Sequence, residues 1–368
     1  MSTYSSIDYQ LMLRAIELAK NGMYTTAPNP NVGCVIAHGD DVVGEGFHYR
    51  AGEPHAEVHA LKAAGNKAKG ATAYVTLEPC SHYGRTPPCS EALIKAGVSK
   101  VICAMKDPNP KVAGQSIKML RDAGIEVLVG LMQPEAEMLN RGFIKLMKTG
   151  LPFVQLKMAA SIDGQTALSN GESQWITSKL ARSDVQLFRA KSCAVLSTSK
   201  TVTDDNASLN VRWTELPDCC QEKYHQAQLR QPVRVVLDKN QTLNPSLKLF
   251  NTDGEVIVVG NQAGQYAAKL NQDGQFDLAE LFRSLATTHH INHLWVEAGA
   301  TLASSLIKAG LVDELVLYLA PKIMGSDGKG LFGALGLQSM QDVINIEIKD
   351  VRRVGPDLRL IATIEDKQ

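Results

Sequence analysis

Two successive series of short apolar β-runs, each interleaved with amphipathic helical stretches, constrain this chain most. Strands that alternate with helices bury their apolar faces only when the helices cover a largely parallel sheet. The first series starts with Ile7, Leu11, Met12, Ala15, Ile16, Leu18 and Ala19 at helical spacing, stopped by Asn21-Gly22. Strand-like runs follow at Val32 to Ala37, Val42 to Phe47, Ala73 to Leu77 and Val101 to Met105. Between them lie helical stretches at His55 to Ala64, Cys89 to Ala96 and Ser116 to Ala123, and a helix predicted over Glu135 to Met147 closes the unit. This is the pattern of a three-layer α/β sandwich.

A glycine and a proline bracket the break at Lys148-Thr149-Gly150-Leu151-Pro152, which predicts a first domain over 1–148 and a second over 152–368. The chain's 368 residues fit two domains at about 150 residues each. In the second series Phe153 to Met158, Cys193 to Leu196, Val233 to Leu237, Glu255 to Val259, Leu294 to Val296 and Leu315 to Leu319 read as strands. Ser178 to Ala190, Leu278 to Ala286 and Thr301 to Ala309 read as helices. Residues 203 to 231 form a long irregular stretch, the kind of connection that often carries function.

Lys plus Arg equals Asp plus Glu at 38 each, and this balance argues against a nucleic-acid partner, which needs a basic field. No run approaches the roughly 18 apolar residues of a membrane span, and Met1 to Gln10 is polar, so no membrane partner and a cytoplasmic location are expected. Seven cysteines, spread unevenly, make no disulfide framework and point to a reducing compartment.

The strongest chemical signal is His55-Ala56-Glu57, followed by Pro79-Cys80 and then Cys89. One imidazole and two thiolates are a known three-ligand set for zinc, with the fourth position left for water. Zinc lowers the pKa of that water to about 7, and a carboxylate beside it can carry the proton to a departing amine. His-x-Glu with Pro-Cys and a second cysteine is the hydrolytic deaminase pattern, although eight residues, Ser81 to Pro88, separate the cysteines here. A structural site closed by His59, His82, Cys34 or Cys103 is the competing reading. A zinc protease would need glutamate where Ala56 stands.

Three segments together resemble one family: Pro28-Asn29-Pro30-Asn31-Val32-Gly33, Gly52-Glu53-Pro54-His55-Ala56-Glu57-Val58-His59-Ala60, and Thr76-Leu77-Glu78-Pro79-Cys80 through Thr86-Pro87-Pro88-Cys89. The resemblance is to the bifunctional riboflavin-biosynthesis deaminase/reductases, which the long spacer ending in Thr-Pro-Pro-Cys separates from cytidine, guanine and tRNA-adenosine deaminases. It implies a cytidine-deaminase-like three-layer α/β/α domain followed by a dihydrofolate-reductase-like α/β domain. It also implies that His55, Cys80 and Cys89 bind Zn2+ and that Glu57 shuttles protons. Asn29 and His48 would contact the pyrimidine, while Arg85, Asp107 and Asn109 would hold the ribose phosphate.

The second half has no G-x-G-x-x-G, so a Rossmann fingerprint is absent. A strand at Leu294 to Val296 instead runs into Glu297-Ala298-Gly299-Ala300-Thr301-Leu302, a strand-to-helix junction able to bind phosphate. Lys157 within an apolar strand is costly unless paired or used. Gly171-Glu172-Ser173-Gln174-Trp175-Ile176-Thr177, Thr201-Val202, Asp205 and Val296-Glu297-Ala298-Gly299 resemble the reductase half of the same family. By that resemblance NADPH would contact Ala159, Trp175, Thr201, Asp205, Gly299, Ala300, Thr301 and Leu302. The sugar phosphate would meet Ser173, Arg189, Leu209 and Arg212, with Lys157 and Glu297 near the reacting end, Glu297 also contacting the substrate. Relatives commonly read Asp-Asp-Pro where this chain has Asp205-Asn206-Ala207.

The implied activity is deamination of 2,5-diamino-6-ribosylamino-4(3H)-pyrimidinone 5′-phosphate, then NADPH-dependent reduction of its ribosyl group to ribityl. The partner is that small molecule, and homo-oligomers (dimer or tetramer) are expected. A tRNA base deaminase is the alternative, but it calls for a basic surface and stacking aromatics, and aromatic residues make up only 5%.

Overall fold

The computed structural model describes residues 4–81, 83, 87–109 and 112–365. The chain divides into two compact units, Met1–Gly150 and Leu151–Gln368.

In the first unit α1 (Ser6–Lys20) precedes β1 (Gly33–His38) and β2 (Asp41–Phe47). Then come α2 (Ala56–Ala64), β3 (Thr72–Val75), α3 (Cys89–Ala96), β4 (Lys100–Cys103), α4 (Gln115–Asp122) and β5 (Glu126–Val129). The sheet order is β2-β1-β3-β4-β5, with β3, β4 and β5 parallel. Successive residues of a strand point to opposite faces, and the two cores follow that alternation. Cys34 and Ile36 pack with Ala60 of α2, Leu93 of α3 and Leu120 of α4. Val35 and Ala37 pack with Met12 and Ile16 of α1 on the other side. This is the expected three-layer arrangement.

Glycines also set the contact between β2 and α2. A Cβ on Gly44 would stand 2.3 Å from the Ala60 carbonyl oxygen, and one on Gly46 would stand 2.5 Å from the His59 Cβ. Only glycine lets β2 approach α2 this closely, and the start of α2 carries His55 and Glu57.

The single helix predicted over 135–147 is two helices, α5 (Gln133–Leu139) and α6 (Arg141–Thr149). The break falls at Asn140, whose buried side chain serves another segment. Its Oδ1 accepts from the Asn31 backbone N–H (2.7 Å) and its Nδ2 donates to the Asn31 carbonyl (3.0 Å). An Asn committed to tertiary bonds competes with the helix backbone.

The second unit contains β6 (Phe153–Ser161), β7 (Gln165–Ala167), α7 (Lys179–Lys191), β8 (Ala194–Thr198) and α8 (Ser199–Asp205). These are followed by α9 (Asp218–Gln221), β9 (Val233–Leu237), β10 (Val256–Gly260), β11 (Tyr266–Ala267) and α10 (Leu278–Thr288). The chain continues through β12 (His293–Glu297), α11 (Ala300–Lys308), β13 (Glu314–Ala320) and β14 (Lys329–Gly330), and ends with β15 (Ile346–Val354) and β16 (Asp357–Ile364). The main sheet has the order β11-β10-β9-β8-β12-β6-β13-β16-β15. It is parallel from β11 to β13 and antiparallel through the terminal hairpin. Open parallel sheets present their ligand sites outside the carboxyl ends of the strands, so the ends of β6, β8, β9 and β12 are the place to look. Among the described residues no helix is long and apolar enough to cross a membrane.

Candidate active sites

In the first unit His55 is the N-cap of α2, and Cys89 is the first residue of α3. The His55 Nδ1 lies 3.6 Å from the Cys80 Sγ and 3.4 Å from the Cys89 Sγ. Bonds of roughly 2.0–2.3 Å in a tetrahedral zinc centre require donor separations of this size, so the residues fit the metal. Among the described residues the donor cluster holds His55, Cys80 and Cys89 alone; Cys34, His59 and Cys103 stand outside it. His82 and Arg85 lie outside the described residues.

Hydrogen bonds from the Cys89 side chain, from His55 and from the Cys89 backbone N–H outweigh burial and pull the Cys80 thiol down to about 4. The reverse applies to Cys89, which donates to Cys80 and is pushed up. Bound zinc would take both sulfurs as thiolates in place of their protons.

Glu57 follows in the first turn of α2, 3% exposed, and its Oε2 is buried without a hydrogen-bond partner. Burial pushes its carboxyl up, which suits a group that must accept and return a proton near neutrality. The His48 ring lies 5.4 Å from that of His55, nearly perpendicular to it. Burial lowers His48, keeping it neutral. Its Nδ1 donates to the Pro54 carbonyl (3.2 Å), so its Nε2 accepts from the Asn29 amide (3.3 Å). Asn29, His48, His55 and Glu57 thus meet around one centre, and Asn140 holds the segment that brings Asn29 there.

Asp107 and Asn109 follow β4, with the Asn109 N–H donating to the Asp107 carboxylate (2.8 Å).

In the second unit an open cleft of about 2180 Å³ runs along the carboxyl ends of β6, β8, β9 and β12. Lys157 and Ala159 of β6 line it, as do Ser173, Trp175, Thr201 and Asp205. Leu209, Arg212, Glu297 and the turn from Gly299 to Leu302 complete the predicted set, together with Arg189. Trp175 is 62% exposed, with the Arg182 guanidinium carbon 4.3 Å from its ring centroid. Asp205 accepts from the Gln174 amide (2.9 Å). Gly299 starts α11 without a side-chain cap, and nothing lies within 4 Å of where its Cβ would be. A phosphate can approach such first-turn N–H groups closely.

Arg189 and Arg212 line the cleft as members of ion pairs. Arg189 donates from Nε and Nη2 to Glu297 and from Nη1 to the Asn210 carbonyl. Arg212 is bidentate to Glu215. Leu209 has φ +55° and a side chain buried in the core, which leaves its backbone for ligand contact. Burial raises the Glu297 carboxyl, but Arg189, Lys157 and the Trp295 N–H outweigh it and hold it at about 2. Lys157 is the register neighbour of Glu297; burial lowers its ammonium while Glu297 pulls the other way. Asn206 occupies the left-handed position after α8 at φ +46°, and its Oδ1 accepts from the Lys248 N–H (2.9 Å). Asparagine is one of the few non-glycine residues that suit that backbone.

Residues 152–360 match the family described as the RibD C-terminal domain, and residues 5–105 match the cytidine and deoxycytidylate deaminase zinc-binding region. The riboflavin biosynthesis protein RibD of Escherichia coli (strain K12) is 52% identical over 361 residues, covering 96% of this chain and 98% of that protein. The Haemophilus influenzae RibD is 52% identical over 369 residues, 99% of each. The chain belongs to the bifunctional riboflavin-biosynthesis deaminase/reductase family. A solved RibD from Acinetobacter baumannii superposes with a TM-score of 0.89 at 44% identity, covering 98% of this chain and 99% of that one. A Thermotoga maritima diaminohydroxyphosphoribosylaminopyrimidine deaminase/5-amino-6-(5-phosphoribosylamino)uracil reductase gives 0.83 at 32% identity, covering 97% and 99%. As a RibD-family protein this chain is a zinc-dependent deaminase and an NADPH-dependent reductase of riboflavin biosynthesis.

Several further residues, whose roles depend on distant partners, shape these RibD-type sites. Glu78, 4% exposed, binds the backbone near Asp107, and Asn140 holds the Asn29 segment. Trp295 donates to Glu297 (2.8 Å), and Arg182 covers one face of Trp175. For Glu78 the sequence carries a local signal, a carboxylate directly after the strand-like run Ala73 to Leu77, since a buried acid requires partners.

Proposed function

We propose that residues 1–148 deaminate 2,5-diamino-6-ribosylamino-4(3H)-pyrimidinone 5′-phosphate and that residues 152–368 then reduce its ribosyl chain, giving 5-amino-6-ribitylamino-uracil 5′-phosphate. The observation that carries the first step is the His55, Cys80 and Cys89 donor set beside the unpartnered Glu57 oxygen. Held by those three donors, zinc supplies a Lewis acid that makes water nucleophilic at neutral pH. Glu57 takes a proton from the attacking water at Oε2 and returns it to the leaving amine, so that the water oxygen bonds to C2 while the C2–N bond breaks and ammonia departs. Asn29 and the neutral His48 orient the pyrimidine, and Asp107, Asn109 and Arg85 hold the ribose phosphate.

For the second step, the cleft and the uncapped start of α11 support NADPH along Ala159, Trp175, Thr201, Asp205 and Gly299 to Leu302. When bound, NADPH supplies the hydride for C1′ of the opened ribosyl group. Lys157 holds a proton at Nζ beside that carbon, and Glu297 keeps it in place. Ser173, the Leu209 backbone, Arg189 and Arg212 meet the sugar phosphate, with the two arginines acting through groups their carboxylate partners fix.

The reading includes self-association in a cytoplasmic enzyme of small-molecule substrates without nucleic-acid partners. Supporting a second copy, the outermost strand β15 leaves Ile346, Ile348 and Val351 46%, 53% and 59% exposed. Assaying Glu57→Gln and Lys157→Met separately tests the division of labour. Each variant is expected to lose one reaction and keep the other; loss of both from either variant contradicts it.

A further inference from the structure

Outside the groups already given roles, Glu78 is a buried carboxylate that binds the segment after β4 and the first turn of α4. It stands two residues before the ligand Cys80. Its own N–H donates to the Met105 carbonyl (3.0 Å), fixing its backbone to the end of β4. Its Oε2 accepts from the backbone N–H of Asp107 (3.1 Å) and of Gly114 (3.0 Å), and its Oε1 accepts from the Ser116 hydroxyl (2.8 Å). Glu78 and Ser116 are both buried, at 4% and 0% exposure. One carboxylate thus binds the chain on both sides of Asn109, and Asp107 in turn fixes the Asn109 N–H.

From this geometry we infer that Glu78 is a positioning residue for deamination, tying the Cys80 ligand loop to the Asp107 and Asn109 segment and so fixing where the substrate's phosphate sits relative to zinc. The inference rests on the proposed role of Asp107 and Asn109. Backbone N–H bonds to a carboxylate are charge-assisted and worth more than neutral ones. Glutamine at 78 keeps an acceptor for both N–H groups without the charge, whereas alanine removes the acceptor of three donors, the part-buried Asp107 and Gly114 N–H groups and the buried Ser116 hydroxyl.

The test measures deamination kinetics for Glu78→Ala, Glu78→Gln and Asn109→Ala, with the phosphorylated substrate and with its phosphate-free riboside, alongside zinc content. Glu78→Ala is expected to keep stoichiometric zinc and to raise KM for the phosphorylated substrate at least about tenfold, with little change in kcat. Glu78→Gln should recover most of that loss, and neither variant should alter KM for the riboside. If Glu78→Ala does not fold, the same phosphate-selective rise, smaller in size, is expected of Glu78→Gln. An unchanged KM, equal effects on both substrates, or zinc loss that accounts for the defect overturns the inference. If Asn109→Ala leaves KM unchanged while Glu78→Ala raises it selectively, the role of Asn109 fails and that of Glu78 stands; the converse leaves Asn109 and removes Glu78.

Discussion

Arg189 grips Glu297 with two parallel hydrogen bonds, Nε to Oε1 at 2.6 Å and Nη2 to Oε2 at 2.8 Å, and the two side chains are only 8% and 13% exposed. Helix α7 is thereby fixed to the end of β12, where the cleft turns into α11. Trp295 adds a third bond to the same carboxylate, and its ring stacks on Phe188 of α7, with centroids 4.7 Å apart. Lysine cannot reproduce the planar fork. Arg189→Lys is therefore expected to reduce the reductase rate by at least about tenfold, and Arg189→Ala to cost about 3–5 kcal/mol in stability of the second unit. Deamination should stay at the wild-type level in Arg189→Lys, and parallel assays of the two reactions check this.

The same pair sets an acid limit. Glu297 titrates at about 2 in the fold against its ordinary 4.5. A depressed carboxyl stabilises the fold fully above 4.5, and the contribution disappears as the pH falls towards 2. The shift corresponds to roughly 3 kcal/mol. Chemical unfolding of wild type and Glu297→Gln should show the largest stability gap above pH 4.5 and convergence near pH 2. A gap constant across that range would mean that the ion pair is not its source.

At the zinc site, Glu57→Gln preserves the shape of the side chain and removes its ability to take a proton. Metal analysis should find normal zinc, while deamination falls about 100-fold to 10,000-fold, the span usual for loss of a general acid–base group. Cys80→Ser should instead lose the metal as well as the activity. Reduction of an already deaminated substrate should proceed in both variants.

Asn206 gives a smaller test. Its left-handed backbone and its bond to Lys248 favour asparagine. Asn206→Ala is expected to lower stability by about 1–2 kcal/mol, the usual cost of that conformation for an alanine. Asn206→Gly should recover the conformational part, and thermal melts of the two variants separate the contributions.

Much of this architecture is legible in the sequence because short-range patterns dictate it. The alternation of Val35 and Ala37 against Cys34 and Ile36, and the helical spacing of Leu11, Met12, Ala15 and Ile16, specify layers without knowledge of partners. The terminal hairpin is less legible. In β15 both faces are largely exposed, and the alternation of Ile346-Glu347-Ile348-Lys349 breaks at Asp350, where the register with β16 shifts, so pairing with β16 supplies the order that the pattern does not. The metal donors carry their chemistry in their residue types and stand beside a distinctive spacer. Arg189 and Glu297 are 108 positions apart, and no local pattern signals that each occupies the other. The break at Asn140 is of the same kind, because its reason lies at Asn31.

The most direct test of the two-step account is a mass-spectrometric time course of the zinc-loaded full chain with 2,5-diamino-6-ribosylamino-4(3H)-pyrimidinone 5′-phosphate and NADPH. The account predicts a deaminated species first, then its ribityl form with matching NADPH consumption, and accumulation of the deaminated species when NADPH is left out. Reduction that precedes deamination, or an unchanged substrate with folded, metal-replete protein, would contradict it.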